Sequence, residues 1–261
     1  MMSITCVRRR FASQHMHARM MSFLRARRRF FNKVDILQSE EKYLIQLDGK
    51  TIKTPLLNQL HAPSRPLALA LAQEWHQQLD EINPNNMPLT TICNTAIDNP
   101  TQLEKGALVE AILGFLHTDT ICCLTDEPET LKALQDREWT PIRDWFESKF
   151  NVSLTATSDL FGSNQPEETL QALGVFLQEC NKWQLSGLQT SINAVKSFIL
   201  PFGVIEGKLT VEEAVNLSQL ELDFQIERWG NVEYAHDIDR RNTETLVAAG
   251  ALVYQLTKAV R

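Results

Sequence analysis

Alternating apolar and polar positions near the start of the chain predict a β-hairpin. Residues 42–47 alternate in this way and residues 50–55 again have strand character, with Asp48-Gly49 between them. Asp-Gly is typical of a two-residue turn between antiparallel strands. We therefore predict a hairpin that turns at Asp48-Gly49.

A helical pattern follows the hairpin. Ser64 before Arg65-Pro66 is typical of a helix start, because Ser caps the first turn and proline is accepted there. Apolar residues then recur at spacings of three and four; they are Leu67, Leu71, Trp75, Leu79 and Ile82. We predict one helix with one buried stripe, and we interpret Trp75 and Gly49 as residues of the fold.

The segment INPNNMPLT (82–90) contains two prolines and three asparagines, so neither a helix nor a strand continues through it. We place the domain boundary there, with one domain at 29–88 and the other at 89–261. Most of the later chain has helical spacing, apart from a short extended stretch, TICCL (120–124). The predicted helices are a segment opened by Asn99-Pro100 and running through Leu116, then 128–137, 140–150, 166–182, 186–200, 210–229 and 232–258.

The helix over 210–229 has the clearest signals. Thr210 and Glu213 form a T-x-x-E capping box, and Gly230 follows the last helical residue. At about 100° per residue, two apolar stripes lie on opposite faces: one is Val211, Val215, Leu222, Ile226 and Trp229, and the other is Leu217, Leu220 and Phe224. Such a helix is either enclosed by its own domain or packed on one side and offered to a partner on the other.

These elements indicate an α+β fold: a small mixed α/β N-terminal domain with a β-hairpin, followed by a larger, mainly α-helical bundle domain. The polar start of the last helix leads into LVAAGALVYQL (246–256), which we expect to be buried. No apolar run reaches the roughly 18 residues that a transmembrane helix needs, so we predict no membrane span.

Charge changes the interpretation of the N-terminus. Residues 1–34 contain eight Arg and one Lys but no Asp or Glu, a composition typical of a mitochondrial transit peptide. We predict a targeting arm at 1–28, cleaved before Arg29-Phe30. The alternative is a basic arm that binds nucleic acid or anionic lipid.

Without the arm, the protein is strongly acidic. Of the 26 basic and 32 acidic residues, 17 and 32 lie in 35–261, so this part has a formal net charge of about −15. Phosphate binding needs clustered Lys and Arg, so we expect no nucleic-acid partner. The five cysteines form no C-x-x-C pair and are expected to be reduced.

Enzyme signatures are lacking. GVIEGKL (203–209) is too short for a phosphate loop and lacks its Ser or Thr, and no dinucleotide, serine-hydrolase or zinc-protease motif occurs. Glu233 and His236 have the E-x-x-H spacing of carboxylate metal centres, with Asp237 and Asp239 adjacent, but a second copy is missing. A matrix metalloenzyme that uses Glu233 and His236 is the alternative to a protein without catalytic chemistry.

Seven segments occur in this order along the chain: RFFNKV, LDGKTIKTP, PSRPLALALAQEW, INPNNMPLT, TAID, HTDTICC and QIERWGNVEYAHD. Together they resemble the mitochondrial assembly chaperones that bind the alpha subunit of the ATP synthase F1 sector. The likeness covers about residues 29–250.

This resemblance implies a monomeric, non-enzymatic matrix protein without a cofactor. It also implies that the protein covers the beta-facing surface of newly imported alpha subunit until the ring forms. The acidic C-terminal stretch of the family falls on Glu221, Asp223, Trp229, Gly230, Glu233, His236 and Asp237.

We predict that the client is contacted by Leu217, Leu220, Phe224 and Trp229 together with Glu221, Glu233 and Asp237. The alternative is that the Leu217, Leu220, Phe224 stripe is buried within the chain. Glu221 would then make only a local pair with Arg228.

Overall fold

The computed structural model of the protein describes residues 27–159, 164–230 and 235–258. They form two compact units, the first ending at Asp98 and the second beginning at Asn99. Most of the predicted targeting arm, residues 1–26, lies outside the described residues. An α+β fold with a small N-terminal sheet and a larger helical part is confirmed.

The first unit contains short strands and two helices. The strands are β1 (Arg27–Arg28), β2 (Val34–Ser39), β3 (Lys42–Leu47), β4 (Lys50–Thr51), β5 (His61–Ala62) and β6 (Glu81–Ile82), and the helices are α1 (Arg65–His76) and α2 (Pro88–Asp98). Strand β3 is central and pairs antiparallel with β2, β4 and β5, whereas β1 pairs with β6. Helix α1 packs on β2, β3 and β5.

The predicted hairpin is present. Leu47 pairs with Lys50, and the two turn residues between them, Asp48 and Gly49, have φ of 47° and 77°. A two-residue turn with positive φ at both positions matches the twist of the flanking strands and favours Asp-Gly. The Asp48 carboxylate also accepts the backbone N–H of Lys33 at 2.8 Å, so the turn is tied to the chain before β2.

Helix α1 begins as predicted but ends earlier. The Ser64 hydroxyl accepts the N–H of Leu67 at 3.3 Å, whereas the helix stops at His76. The stripe prediction was wrong for its last two residues: Leu79 is 81% exposed, and Ile82 lies in β6. At this helix end the Arg29 guanidinium donates to the carbonyl oxygens of His76 and Gln78, and the last carbonyl oxygens of a helix have no N–H partner within it.

Arg27 and Arg28 also differ from expectation. Both were assigned to the targeting arm, yet they pair with Ile82 and Glu81 as strand β1. The backbone N–H of Arg29 continues this contact by donating to the Asp80 oxygen at 2.8 Å. Main-chain pairing therefore begins two residues before the predicted start of the folded protein.

A buried carboxylate places α2 in the first unit. Glu74 on α1 is 7% exposed and accepts the backbone N–H groups of Leu89 and Thr90, both at 2.8 Å. The first N–H groups of a helix have no partner within it and favour negative charge. This helix follows INPNNMPLT, and the sequence pattern had assigned it to the second domain.

The second unit is helical. Its helices are α3 (Lys105–Leu113), α4 (Glu129–Phe150), α5 (Glu167–Glu179), α6 (Lys182–Val195), α7 (Ile199–Ile205), α8 (Val211–Trp229) and α9 (Ala235–Leu256). Helix α6 has a capping box of Asn181 and Gln184 and ends at Lys196, which has a φ of 56°. The chain then bends, so the helix predicted over 186–200 is divided between α6 and α7.

Two other expectations were wrong in the second unit. The helices predicted at 128–137 and 140–150 are one helix that contains Pro141. Proline in a helix costs about 3 kcal/mol, but Trp139 and Ile142 beside it are buried and hold the helix by packing. The stretch 120–124 begins as a 3₁₀ turn because buried Asp119 accepts the N–H of Ile121.

Aromatic rings fill the centre of the second unit. Phe146, Phe198 and Phe202 are fully buried, with centroids 5.1–6.1 Å apart. In the same unit, α6 and α9 approach each other at Gly187 and Gly250, where an added Cβ on Gly250 would lie 2.3 Å from the Gly187 oxygen. No described helix is long and apolar enough to cross a membrane.

Candidate functional site

Helix α8 presents most of the predicted contact residues. The Thr210 hydroxyl accepts the N–H of Glu213 at 3.1 Å, and the Glu213 carboxylate accepts the N–H of Thr210 at 2.7 Å. The predicted capping box is therefore present. At the other end, the N–H of Gly230 donates to the Ile226 oxygen, and the helix ends at Trp229 as expected.

The stripe of Leu217, Leu220 and Phe224 faces the core of the second unit. Leu220 is buried, and Leu217 and Phe224 pack against the same core while remaining partly exposed. The indole N–H of Trp139 on α4 donates to the Leu217 oxygen at 3.0 Å. The stripe thus holds α8 in place, and only its partly exposed edge is available to another molecule.

Glu221 is joined to helix α4. Its Oε1 accepts the side-chain N–H of Gln135 at 2.5 Å, and the Oε1 of Gln135 accepts the backbone N–H of Thr125 at 2.9 Å. Burial raises the pKa of the Glu221 carboxyl, although the bond from Gln135 opposes this shift. The side chain is half-buried and held in one position rather than free in solvent.

Arg228 contacts other residues than Glu221. Its guanidinium lies over the Phe224 ring, 4.7 Å from the centroid, and donates to the Thr130 hydroxyl at 3.3 Å. Of the ion pairs between described residues, none joins Arg228 to Glu221. A cation over an aromatic face stabilises the ring position, so Arg228 holds Phe224 in place.

A groove of about 980 Å³ lies between the second half of α8 and the segment that leads into α4. Its large apolar lining residues are Leu131, Phe224 and Trp229, and Pro128 lies beside them. Four carboxylates and one guanidinium line it as well; they are Asp126, Glu127, Glu129, Glu221 and Arg228. The predicted residues Glu221, Phe224 and Trp229 are therefore brought together, and Trp229 is 77% exposed.

The acidic segment 126–129 is the part of the groove that sequence reasoning missed. The run Asp-Glu-Pro-Glu is visible in the sequence. Three carboxylates around a proline are unusual in a buried connection, so this run indicates an exposed acidic segment. Hydrogen bonds from the side chains of Ser158 and Lys132 lower the pKa of Asp126. This carboxylate therefore keeps its negative charge at the rim of the groove.

Two predicted contact residues cannot be placed against the groove. Glu233 lies outside the described residues, and Asp237 belongs to α9 without a described side chain. Farther along α9, Arg240 binds both carboxylate oxygens of Asp223 at 2.6 and 2.7 Å, which joins α9 to α8. Asp223, predicted as part of the acidic stretch, is thus already paired within the chain.

The metalloenzyme alternative gains no support. Its residues, Glu233 and His236, fall where no side chain is described. In the described parts of the chain, no three His, Cys, Asp or Glu side chains come close enough together to hold a metal ion.

Known proteins resemble the chain over most of its length. A family model described as ATP12 chaperone protein matches residues 28–147. "Protein atp12, mitochondrial" of Schizosaccharomyces pombe is 32% identical over 87% of this chain and 81% of its own length, and "Protein ATP12, mitochondrial" of Saccharomyces cerevisiae is 26% identical over 86% and 82%.

The fold agrees with the same family. The crystal structure of Atp12 from Paracoccus denitrificans matches with a TM-score of 0.78 and 29% identity, over 88% of this chain and 98% of that one. The sequence resemblance to assembly chaperones is therefore confirmed, as is the prediction that the protein is not an enzyme. The chain belongs to the ATP12 chaperone family.

Proposed function

We propose that the protein binds the unassembled alpha subunit of mitochondrial F1-ATPase and shields its beta-facing surface until the alternating ring forms. Membership of the ATP12 family supports a chaperone of F1-ATPase assembly. The alpha subunit as client, and the groove beside α8 as its binding site, are the further content of the proposal.

The observation that carries the proposal is the composition of the groove. An unassembled subunit exposes an interface that is apolar at its centre and polar at its rim. Leu131, Phe224 and Trp229 offer an apolar surface of the matching kind, and carboxylates surround it. The groove therefore suits an apolar client segment with basic neighbours.

Glu221 gives the groove a directed acceptor. Because Gln135 holds one carboxylate oxygen, the side chain does not have to be ordered when a client arrives. A partly desolvated carboxylate also gains more from a basic partner than a fully hydrated one does. We infer that Glu221 pairs with an Arg or Lys of the client.

Release follows from the size of the groove. Stable protein interfaces bury about 1,200–2,000 Å² of surface, whereas the groove presents three apolar side chains and one half-buried carboxylate. A cover of this kind can be displaced by a partner that matches the whole interface. The beta subunit is the displacing partner in this proposal.

A mitochondrial location is supported by the two curated relatives, which are mitochondrial proteins. The acid-free, arginine-rich segment before residue 35 agrees with import. We further propose that the protein acts in the matrix, where newly imported alpha subunit would first require a cover.

The test is capture of purified alpha subunit by the tagged chain, with beta subunit as a specificity control. We expect alpha to be retained and beta not. Glu221→Lys should reduce alpha capture at least about tenfold, since it replaces an attraction by a repulsion. Glu227→Lys is the matched control, because Glu227 lies on the same helix, is exposed and does not line the groove.

Two results would count against the proposal. Equal capture of alpha and beta subunits would contradict the proposal that the alpha subunit is the specific client. A folded Glu221→Lys protein that captures alpha as well as the Glu227→Lys protein does would remove the groove as the binding site.

A further inference from the structure

The first unit contains a cleft that the proposed function does not use. It has a volume of about 460 Å³ and is bounded on one side by residues 50–53. Its apolar lining includes Phe31, Leu47, Trp75 and Ile82, and Phe30 at its margin is 67% exposed. The cleft is thus a concave apolar surface beside a short strand.

That strand, β4, has an open edge. Leu47 and Lys50 flank the two-residue turn and form a hydrogen-bonded pair, and the N–H of Ile52 donates to the Ile45 oxygen at 3.0 Å. Antiparallel ladders alternate, so the N–H and C=O of Thr51 point away from β3. Within the described residues, neither group forms a backbone hydrogen bond outside the strand ladder.

Positive charge lies beside this edge. Lys50 and Lys53 line the cleft and are exposed, and neither forms an ion pair with a described residue. Asp48 also lines the cleft, but its carboxylate accepts the backbone N–H groups of Asn32 and Lys33. These neutral donors leave the charge of Asp48 in place, so the cleft lining carries two positive charges and one negative charge.

Trp75 adds a polar group that has no hydrogen-bond partner among the described residues. It lines the cleft, and its buried indole N–H has no acceptor among the described residues. A buried donor without a partner costs about 1–3 kcal/mol. The apolar ring of Trp75 would pack against a ligand in the cleft. A ligand oxygen that reached the indole N–H would accept its hydrogen bond.

We propose that this cleft binds an extended acidic peptide segment of a protein partner. The segment adds to β4 as a strand by bonding to the N–H and C=O of Thr51. It places an apolar side chain against Trp75 and its carboxylates beside Lys50 and Lys53. Strand addition gains affinity from main-chain bonds and specificity from alternate side chains.

This inference is independent of the alpha subunit as client. It concerns the first unit, whereas the groove of the proposed function lies in the second, and the two sites prefer opposite charges. An acidic segment is favoured over a basic one because the charged lining residues, Asp48, Lys50 and Lys53, give the cleft a net positive charge. A second copy of this chain, paired edge to edge at β4, is the competing occupant.

The experiment uses the full chain labelled with ¹⁵N and two blocked octapeptides, one alternating Leu with Glu and the other alternating Leu with Lys. We expect the Glu peptide to produce saturable shifts of the Thr51 amide and the Trp75 indole signals. The Lys peptide should leave both signals in place. The same spectra show whether the protein is folded.

Charge reversal completes the test. The double variant Lys50→Glu, Lys53→Glu should weaken binding of the Glu peptide at least about tenfold. The control pair Lys208→Glu, Lys258→Glu makes the same charge change at exposed lysines of the second unit and should leave binding unchanged.

Three outcomes would overturn the proposal. They are the absence of saturable shifts with the Glu peptide, equal binding of the Lys peptide, and equal loss of binding in both double variants. Shifts of the Thr51 signal that follow protein concentration alone would assign the edge to a second copy and also overturn it. None of these results bears on alpha capture.

Discussion

The carboxylate of Glu74 accepts the backbone N–H of Thr90 at 2.8 Å and its hydroxyl at 2.5 Å, across sixteen residues of chain. With the bond from Leu89, it satisfies the N-terminus of α2 from the side of α1. Desolvation raises the pKa of this buried carboxyl, and the bonds from Thr90 and Leu89 oppose the shift. The first unit therefore depends on one acidic side chain for the position of its second helix.

Glu74→Ala should lower the free energy of unfolding by about 3 kcal/mol, because two buried N–H groups lose their acceptor. Urea unfolding followed by far-UV circular dichroism measures the change. Gln73→Ala is the matched control, since Gln73 is an exposed neighbour on the same helix, and it should change the value by less than about 0.5 kcal/mol. Equal effects of the two substitutions would contradict this role of Glu74.

Asp119 should make the stability depend on pH. Burial raises its pKa from 3.8 to about 6, against the bonds that it accepts from Ser197, Ile199, Ile121 and Phe198. A raised pKa in the folded state means that its contribution to stability is fully present below the unfolded value. That contribution is lost as pH rises through the folded value.

The measurement compares urea unfolding of the protein and of Asp119→Asn from pH 4 to pH 7. The Asn variant should be less stable throughout, because one of its side-chain groups is a donor facing backbone N–H groups. The advantage of the unmodified protein should shrink by about 2 kcal/mol between pH 4 and pH 6 and level off near pH 7. An advantage that grows over this range would show that the shift has the opposite sign.

Gly250→Ala should destabilise the second unit. A Cβ at this position would lie 2.1 Å from the Ser191 hydroxyl oxygen and 2.3 Å from the Gly187 backbone oxygen, so α6 and α9 would have to separate. Overpacking of this kind costs about 1–3 kcal/mol or more. Thermal unfolding of the purified variant reports the loss.

Gly174→Ala is the control for this prediction. Its Cβ would meet only Leu113 Cδ1 at 3.5 Å, an ordinary contact, and alanine favours a helix over glycine by about 1 kcal/mol. We expect it to be neutral or stabilising. If both alanine variants unfolded at the same temperature, close approach of the helices at Gly250 would not explain the loss.

Arg29 should determine how far the N-terminus can be shortened. Its guanidinium donates to the oxygens of Phe31, His76, Gln78 and Asn32 and lies 4.6 Å from the Phe31 ring centroid. A chain that begins at Arg27 should therefore be more stable than one that begins at Phe30, by about 2–4 kcal/mol. Chemical denaturation of the two shortened proteins gives the difference.

Arg29→Lys in the chain that begins at Arg27 separates charge from geometry. Lysine keeps the charge but cannot reach several carbonyls as a planar fork does. We expect the Arg29→Lys variant to keep less than half of the stability difference between the chains that begin at Arg27 and at Phe30. Equal stability of the chains that begin at Arg27 and at Phe30 would contradict this role of Arg29.

Local signals predicted the elements whose cause is local. Asp48-Gly49 and the Thr210–Glu213 box each act within four residues, and both are present. Leu79 and Pro141 show the limit of such reasoning. The apolar spacing continues to Leu79, although the helix ends at His76, whose carbonyl oxygen accepts a hydrogen bond from Arg29. Pro141 lies inside a helix because burial of the residues beside it outweighs its helix-breaking tendency.

The groove could be predicted only in part for the same reason. Glu221, Phe224 and Trp229 were all predicted as contact residues, but the periodicity of α8 placed Phe224 and Trp229 on opposite faces, whereas both line the groove. Gln135 and the acidic segment 126–129 come from a distant part of the chain. No pattern within a single helix contains the bond between Gln135 and Glu221, which spans 86 residues.

The approach of Gly187 and Gly250 also sets an order of events for a chain that enters its compartment from the N-terminus. Helix α6 packs most extensively against α9, whose Gly250 lies more than sixty residues after Gly187. The core of the second unit therefore cannot form until residues near 250 have entered the compartment. The first unit, complete by Asp98, faces no such delay. During that interval the partly imported protein is itself incompletely folded and exposes apolar surface.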